Sequence, residues 1–180
     1  EYWQQRADYE IDVSLDPAAK ILAGRERIRY KNNSPDTLER FYLHLYANAY
    51  RDKVTPLWRD FHPGILYFFR GIDESRRGWI EIDSLAVDGV AAAFTVDGTI
   101  LECAFTRPLP PGATVTIDAA FREKIRRRTG RAGWSGSNFA LAQWYPKMVV
   151  YDTDGWHPDQ FRLGEFYGEF GDYDVRITLP

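Results

Sequence analysis

Residues 79–105, WIEIDSLAVDGVAAAFTVDGTILECAF, decide the fold. Runs of alternating apolar residues at 79–87 and 91–96 flank Asp88-Gly89, and a second pair, Asp97-Gly98, leads into 99–105. Asp-Gly between alternating runs signals a tight hairpin, because such turns need residues that accept positive φ. Hairpins in series predict antiparallel sheet.

The pattern extends outward in both directions. Residues 9–15 set Tyr9, Ile11, Val13 and Leu15 against acidic or small partners, the period of a half-buried strand. A second strand, 20–30, carries a polar face of Arg25, Arg27 and Arg29, and Asn32-Asn33-Ser34-Pro35-Asp36 turns the chain into a third, 38–46. There Phe41, Leu43 and Leu45 share one face and Tyr42, His44 and Tyr46 the other. Residues 114–121 alternate again through Val115, Ile117, Ala119 and Phe121. Between 49 and 78 the period breaks: Thr55 precedes Pro56, and Leu57, Trp58 and Phe61 have helical spacing, so a short helix near residues 55–61 is expected, stopped by Pro63. A loop excursion over one end of the sheet follows it. The fold class is therefore all-β, an antiparallel β-sandwich of saddle-shaped twisted sheets with one short helix, in a single domain spanning 1–180.

Composition narrows the function. The 180 residues carry a net charge of -3, and 16% are aromatic. Cys103 is the sole cysteine, which excludes an intrachain disulfide and argues against a thiolate metal site. No apolar run approaches the roughly 20 residues of a membrane span, so no transmembrane segment is expected. The basic run 122–131, REKIRRRTGR, reads as a strand end with a solvated face running into a Gly-rich loop; an acidic chain is a poor partner for nucleic acid.

Catalytic signatures are sparse. His44, His62 and His157 are scattered and none is followed by Glu, so the zinc motif H-E-x-x-H is absent. His44 reads as a hydrogen-bonded packing residue among tyrosines. Gly133-Trp134-Ser135-Gly136 does not match a nucleophile elbow and reads as a flexible loop. His157, Asp159 and Glu165 are the best remaining candidates for a metal or acid-base cluster, without established ligand spacing. The stretch 139–174, FALAQWYPKMVVYDTDGWHPDQFRLGEFYGEFGDYD, mixes aromatics with Gly, Pro, Asp and Glu, a composition suited to shaped loops. Trp156, Phe161, Phe166, Tyr167, Phe170 and Tyr173 are expected to form a surface that meets a partner, with half of them able instead to fill the chain's own core.

The YEIDVSLD strand, the RIRYKNNSPDTL turn, LHLYANAYRD and the later LAQWYPKMVVYD and GEFYGEFGDYDVRITLP segments together resemble one family. It is the N-terminal β domain of the aminopeptidase N-type (gluzincin) zinc metallopeptidases, bacterial members in particular, a group related to the leukotriene-hydrolase-type enzymes. The resemblance covers nearly the whole chain and is weakest over 50–78. It implies a non-catalytic domain that packs on its own catalytic domain, which supplies the zinc and is absent from this chain. The chain alone is then no enzyme and holds no cofactor, while its parent is a zinc metalloaminopeptidase, a hydrolase. In the family, a Gln and an acidic or amide residue two positions later help bind the peptide substrate's amino terminus. Gln143 matches the first, and Tyr145 stands where the second is usual, so a phenol without negative charge replaces a carboxylate or amide. By resemblance, substrate-binding residues are Gln143 and Tyr145, and an exported, periplasmic or membrane-associated location is favoured over a cytoplasmic one. The competing readings are a carbohydrate-binding or adhesion-type β-sandwich module and a self-contained metalloenzyme built on His157, Asp159 and Glu165.

Overall fold

The computed structural model describes residues 2–60, 77–128, 130–162, 164 and 166–180. Its strands are β1 (Arg6–Asp16), β2 (Ile21–Lys31), β3 (Leu38–His44), β4 (Trp79–Val87), β5 (Val90–Ala91), β6 (Phe94–Asp97), β7 (Ile100–Leu109) and β8 (Thr114–Lys124). Shorter ones follow: β9 (Gly133–Ser135), β10 (Asn138–Ala140), β11 (Lys147–Met148), β12 (Tyr151–Asp152), β13 (Gly155–Trp156) and β14 (Tyr173–Thr178). A six-stranded sheet in the order β14-β1-β2-β8-β4-β5 faces a four-stranded sheet in the order β11-β3-β7-β6. The fold is all-β and sandwich-like, as the alternating pattern predicts.

The β4–β5 and β6–β7 hairpins turn where the two Asp-Gly pairs stand. Asp88 and Gly89 have φ of 48° and 77°, both positive, as a two-residue turn matching strand twist requires. The run 91–96 is not one strand, however. β5 pairs with β4 in the large sheet, whereas β6 pairs with β7 in the small one, so the chain changes sheets at Ala92-Ala93. A second departure is β14, which pairs with β1 in parallel. This returns the last strand to the edge beside the first.

The two inner faces make the core. Ile11, Val13, Leu22, Ile28, Ile117 and Phe121 from the large sheet meet Phe41, Leu43, Leu101 and Cys103 from the small one, all at most 2% exposed. Burial on this scale stabilises by roughly 1.5–3 kcal/mol per large side chain. The Asn32–Asp36 turn is sealed by a polar knot: Asn32, wholly buried, accepts from Gln5 Nε2 at 3.1 Å and Ser34 Oγ at 2.6 Å, and donates to the carbonyls of Asp36 and Leu109.

Helix α1 spans Pro56–Asp60, and the Thr55 hydroxyl accepts from the Trp58 N–H at 3.3 Å, capping its start. Phe61, the stop at Pro63 and most of the loop excursion lie outside the described residues. The third strand ends two residues earlier than expected, because the chain enters a 3-10 helix at Tyr46–Tyr50. Gly133–Gly136 is not a flexible loop: β9 and β10 pair as a hairpin there, with the Lys20 ammonium 5.0 Å from both the Trp134 and Phe139 rings. No described helix is long and apolar enough to cross a membrane.

Candidate functional site

The alternation of β8 does not stop where its apolar residues do. After Val115, Ile117, Ala119 and Phe121, the next inward position is Glu123, which is 5% exposed. Just beyond the strand, Arg126 lays its guanidinium 3.8 Å over the Tyr50 ring. Tyr46 and Tyr50 from the 3-10 helix, Gln143 from the segment after β10, and Phe161 and Phe166 close the remaining sides. Together they line a cavity of about 210 Å³ at one end of the sandwich.

Three polar atoms in this cavity wall lack hydrogen-bond partners among the described residues: Glu123 Oε2, Arg126 Nε and Gln143 Oε1. Burial pushes the Glu123 carboxyl up to about 8, opposed by the nearby Arg126 charge. Burial also lowers the Arg126 guanidinium from its ordinary value, against the pull of Tyr50 and Glu123. An unpaired buried polar atom costs on the order of 1–3 kcal/mol, and these three share one wall.

Gln143 has a φ of 54°, the left-handed region that is unfavourable for a residue with a Cβ. The segment that follows it is anchored to the core at two points. Trp144 packs toward the core 6.4 Å from Phe121, and the Met148 N–H donates to the buried Tyr9 hydroxyl at 2.9 Å. The Gln143 side chain is thereby turned into the cavity, while Tyr145 is placed elsewhere. Its hydroxyl meets that of Tyr173 at 3.2 Å and its ring stands edge-on to Tyr9 at 5.4 Å. Burial, then the Tyr173 hydrogen bond, raises its phenol well above the ordinary value.

The histidine readings resolve differently. His44 is a packing residue, stacked on Tyr46 at 4.6 Å, but its Nδ1 finds no partner among the described residues, and burial followed by Lys147 drives it down to about 3. His157 Nε2 lies 2.8 Å from Asp152 Oδ1, and the Tyr167 hydroxyl donates to Asp152 Oδ2 at 2.9 Å. Asp159 is exposed. Glu165 lies outside the described residues. His157 is thus engaged by a carboxylate that sequence reading did not name, and among the described residues no group of three His, Cys, Asp or Glu could hold a metal.

The basic run is only partly solvated. Arg122 faces out and pairs with Asp83 at 2.7 Å and Glu81 at 3.5 Å, whereas Glu123 and Arg126 turn inward. Sequence reading missed both, although extending the period of β8 by one step points to Glu123. Of the aromatic set, Trp156 packs 5.7 Å from Tyr42, and Phe161 and Phe166 pack edge-on to Tyr46. Tyr167, Phe170 and Tyr173 remain exposed at 53%, 76% and 45%.

No family profile and no curated protein matches this sequence. Among solved structures, an M1 zinc metallopeptidase from Deinococcus radiodurans matches at a TM-score of 0.56 and 15% identity, over 98% of this chain and 33% of that one. A mutant of that enzyme bound to a Tyr-Ser-Ala substrate matches at 0.54 and 15%, with the same coverage. A two-domain form bound to L-arginine gives 0.54 at 14%, again over 98% and 33%. This chain spans about a third of the length of each. It shares the fold of that third.

Proposed function

We propose that this chain is the N-terminal β domain of a zinc aminopeptidase, packed on a catalytic domain that carries the metal, with Gln143 helping to anchor the amino terminus of a peptide substrate. The observation that carries the reading is coverage: nearly all of this chain corresponds to only a third of a metallopeptidase. The uncovered apolar face of β14 supports it, since a neighbouring domain is what such a face fits.

In this reading the domain forms one wall of the substrate cleft and performs no chemistry. The zinc, held elsewhere in the enzyme, supplies Lewis-acid activation of the peptide bond. Gln143 Oε1, which has no hydrogen-bond partner among the described residues, is an acceptor suited to an ammonium donor. Tyr145, tied to Tyr173 and Tyr9, is a positioning residue that braces the Gln143 segment from behind.

The test is kinetic, in the longer enzyme. Gln143→Ala is expected to lower kcat/KM for peptides by roughly tenfold to a hundredfold, the scale of one hydrogen bond to a charged group. Unchanged kcat/KM removes the anchoring role. A reading frame that continues past Pro180 without any H-E-x-x-H motif removes the aminopeptidase assignment itself.

A further inference from the structure

The chain from 166 to 172, which leads into β14, has neither helix nor strand, yet it is tied to fixed elements along its length. Phe166 stacks on Phe161 at 5.3 Å and stands edge-on to Tyr46 at 4.9 Å. The Tyr167 hydroxyl donates to Asp152 Oδ2 at 2.9 Å, and its ring lies edge-on to that of His157 at 5.4 Å. Gly168 passes so close to β11 that a Cβ there would strike the Lys147 ammonium. At the far end the Asp172 N–H donates to Asp8 Oδ1 at 2.9 Å. Asp152 is the hub, since it also accepts from the Asp154 N–H at 2.9 Å and pairs with His157 Nε2 at 2.8 Å. Among the described residues no backbone–backbone hydrogen bond holds 166–169, so side chains do the holding.

Glu169, half-buried, stands beside this hub. We propose that 166–170 is a strap latched to β12 through Asp152, and that Glu169 releases it: one proton between the two carboxyls keeps the strap seated, and its loss sets two like charges together. The groups facing Glu169 are Asp152 and the Tyr151 N–H on β12, Tyr30 on β2 and Tyr167 on the strap itself, with His157 behind Asp152. Lys147, against Gly168, is in no ion pair among the described residues. Burial first, then the Asp152 charge, pushes the Glu169 carboxyl up to about 7, against the pull of the Tyr151 N–H. The hydrogen bond with His157 is foremost in holding Asp152 below the ordinary carboxylate range, so Glu169 keeps the proton. The advantage of the seated strap is fully present below the ordinary value of 4.5 and is lost as pH rises through about 7. Phe166 and Tyr167 wall a cavity of about 300 Å³ that also reaches His44, Val150 and His157. Release of the strap opens it.

NMR of the isotope-labelled 180-residue chain at pH 5 and pH 8 tests this. At pH 5 the amides of 166–170 are expected to be as rigid on the ps–ns timescale as those of β12, with a cross-peak between the Tyr167 and His157 rings. By pH 8 the ratio of seated to released strap is expected to fall roughly tenfold, less than a fully buried acid would give because Glu169 is half in water, and both signatures to fade. Glu169→Gln keeps the shape without the charge and is expected to stay seated at both pH values. Asp152→Asn is expected to lower the midpoint, because the like charge that raises Glu169 is gone. A strap equally rigid at pH 8, or already mobile at pH 5, overturns the latch. A transition that persists unchanged in Glu169→Gln assigns the release to His157 and overturns the role of Glu169, and a midpoint unmoved in Asp152→Asn overturns the shared site.

Discussion

Glu26 projects from the inward face of β2 between Leu22 and Ile28, is 2% exposed, and neither carboxylate oxygen has a partner among the described residues. Burial raises its pKa well above the ordinary carboxylate value. An acid raised in the folded state binds its proton more tightly there than in the unfolded chain. Its contribution to stability is therefore fully present below the unfolded value of about 4.5 and is lost as pH rises toward the folded one. Glu123, raised to about 8, acts in the same direction. Glu26→Gln is expected to flatten the decline in stability from pH 5 to pH 8, and Glu26→Met to flatten it and add about 1–3 kcal/mol by removing the unpaired atoms. Urea unfolding at the two pH values measures both; a Glu26→Met chain less stable than the parent at pH 8 sinks the account. Both buried acids were legible in principle, because each takes an inward position of an apolar alternation, Glu26 within that of β2 and Glu123 one step past that of β8. The conformation of Gln143 was not legible, since the Tyr9 hydroxyl that holds its segment comes from a strand more than a hundred residues away.

The hairpins were legible because turn chemistry is local: Asp88-Gly89 and Asp97-Gly98 specify their turns whatever the strands do afterwards. The sheet change at Ala92-Ala93 was not, since small apolar residues suit either layer and only the pairing of β6 with β7 settles the matter. Nor was the parallel pairing of β14. It depends on contacts between opposite ends of the chain: Tyr173 stacks on Tyr9 at 4.7 Å, the Tyr9 N–H donates to the Asp172 carbonyl at 2.8 Å, and the Asp172 N–H donates to Asp8 Oδ1 at 2.9 Å. Gly171 makes the approach possible, because a Cβ there would collide with the carbonyl oxygen of Ala7. Gly171→Ala is expected to cost about 1–3 kcal/mol of overpacking, concentrated in this one pairing. Hydrogen exchange resolves it: amides of β14 should lose protection while the β1–β2 ladder keeps its own. Uniform loss across the large sheet would mean that β14 is not a separable element.

For the whole molecule, the inner face of the large sheet extends further than its cover. Tyr9, Ile11 and Val13 on β1 are buried, but their register partners Tyr173, Val175 and Ile177 on β14 are 45%, 42% and 46% exposed. The apolar row continues to Leu179, 63% exposed, and among the described residues no strand lies beside the outer edge of β14. An open edge with an apolar face is a liability that folded proteins cover. In the proposed enzyme the catalytic domain provides that cover; in the isolated chain, a second copy is the readiest substitute. The 180-residue chain is therefore expected to self-associate reversibly in sedimentation experiments, and Val175→Lys with Ile177→Lys to hold it monomeric without lowering its melting temperature, since both positions are exposed. Placed in the longer enzyme, the same pair should destabilise, because there the two lysines would be buried against an apolar neighbour without partners. A longer enzyme that tolerates both lysines with unchanged stability would show that β14 faces water in the intact protein, and the apolar row would then need a different partner.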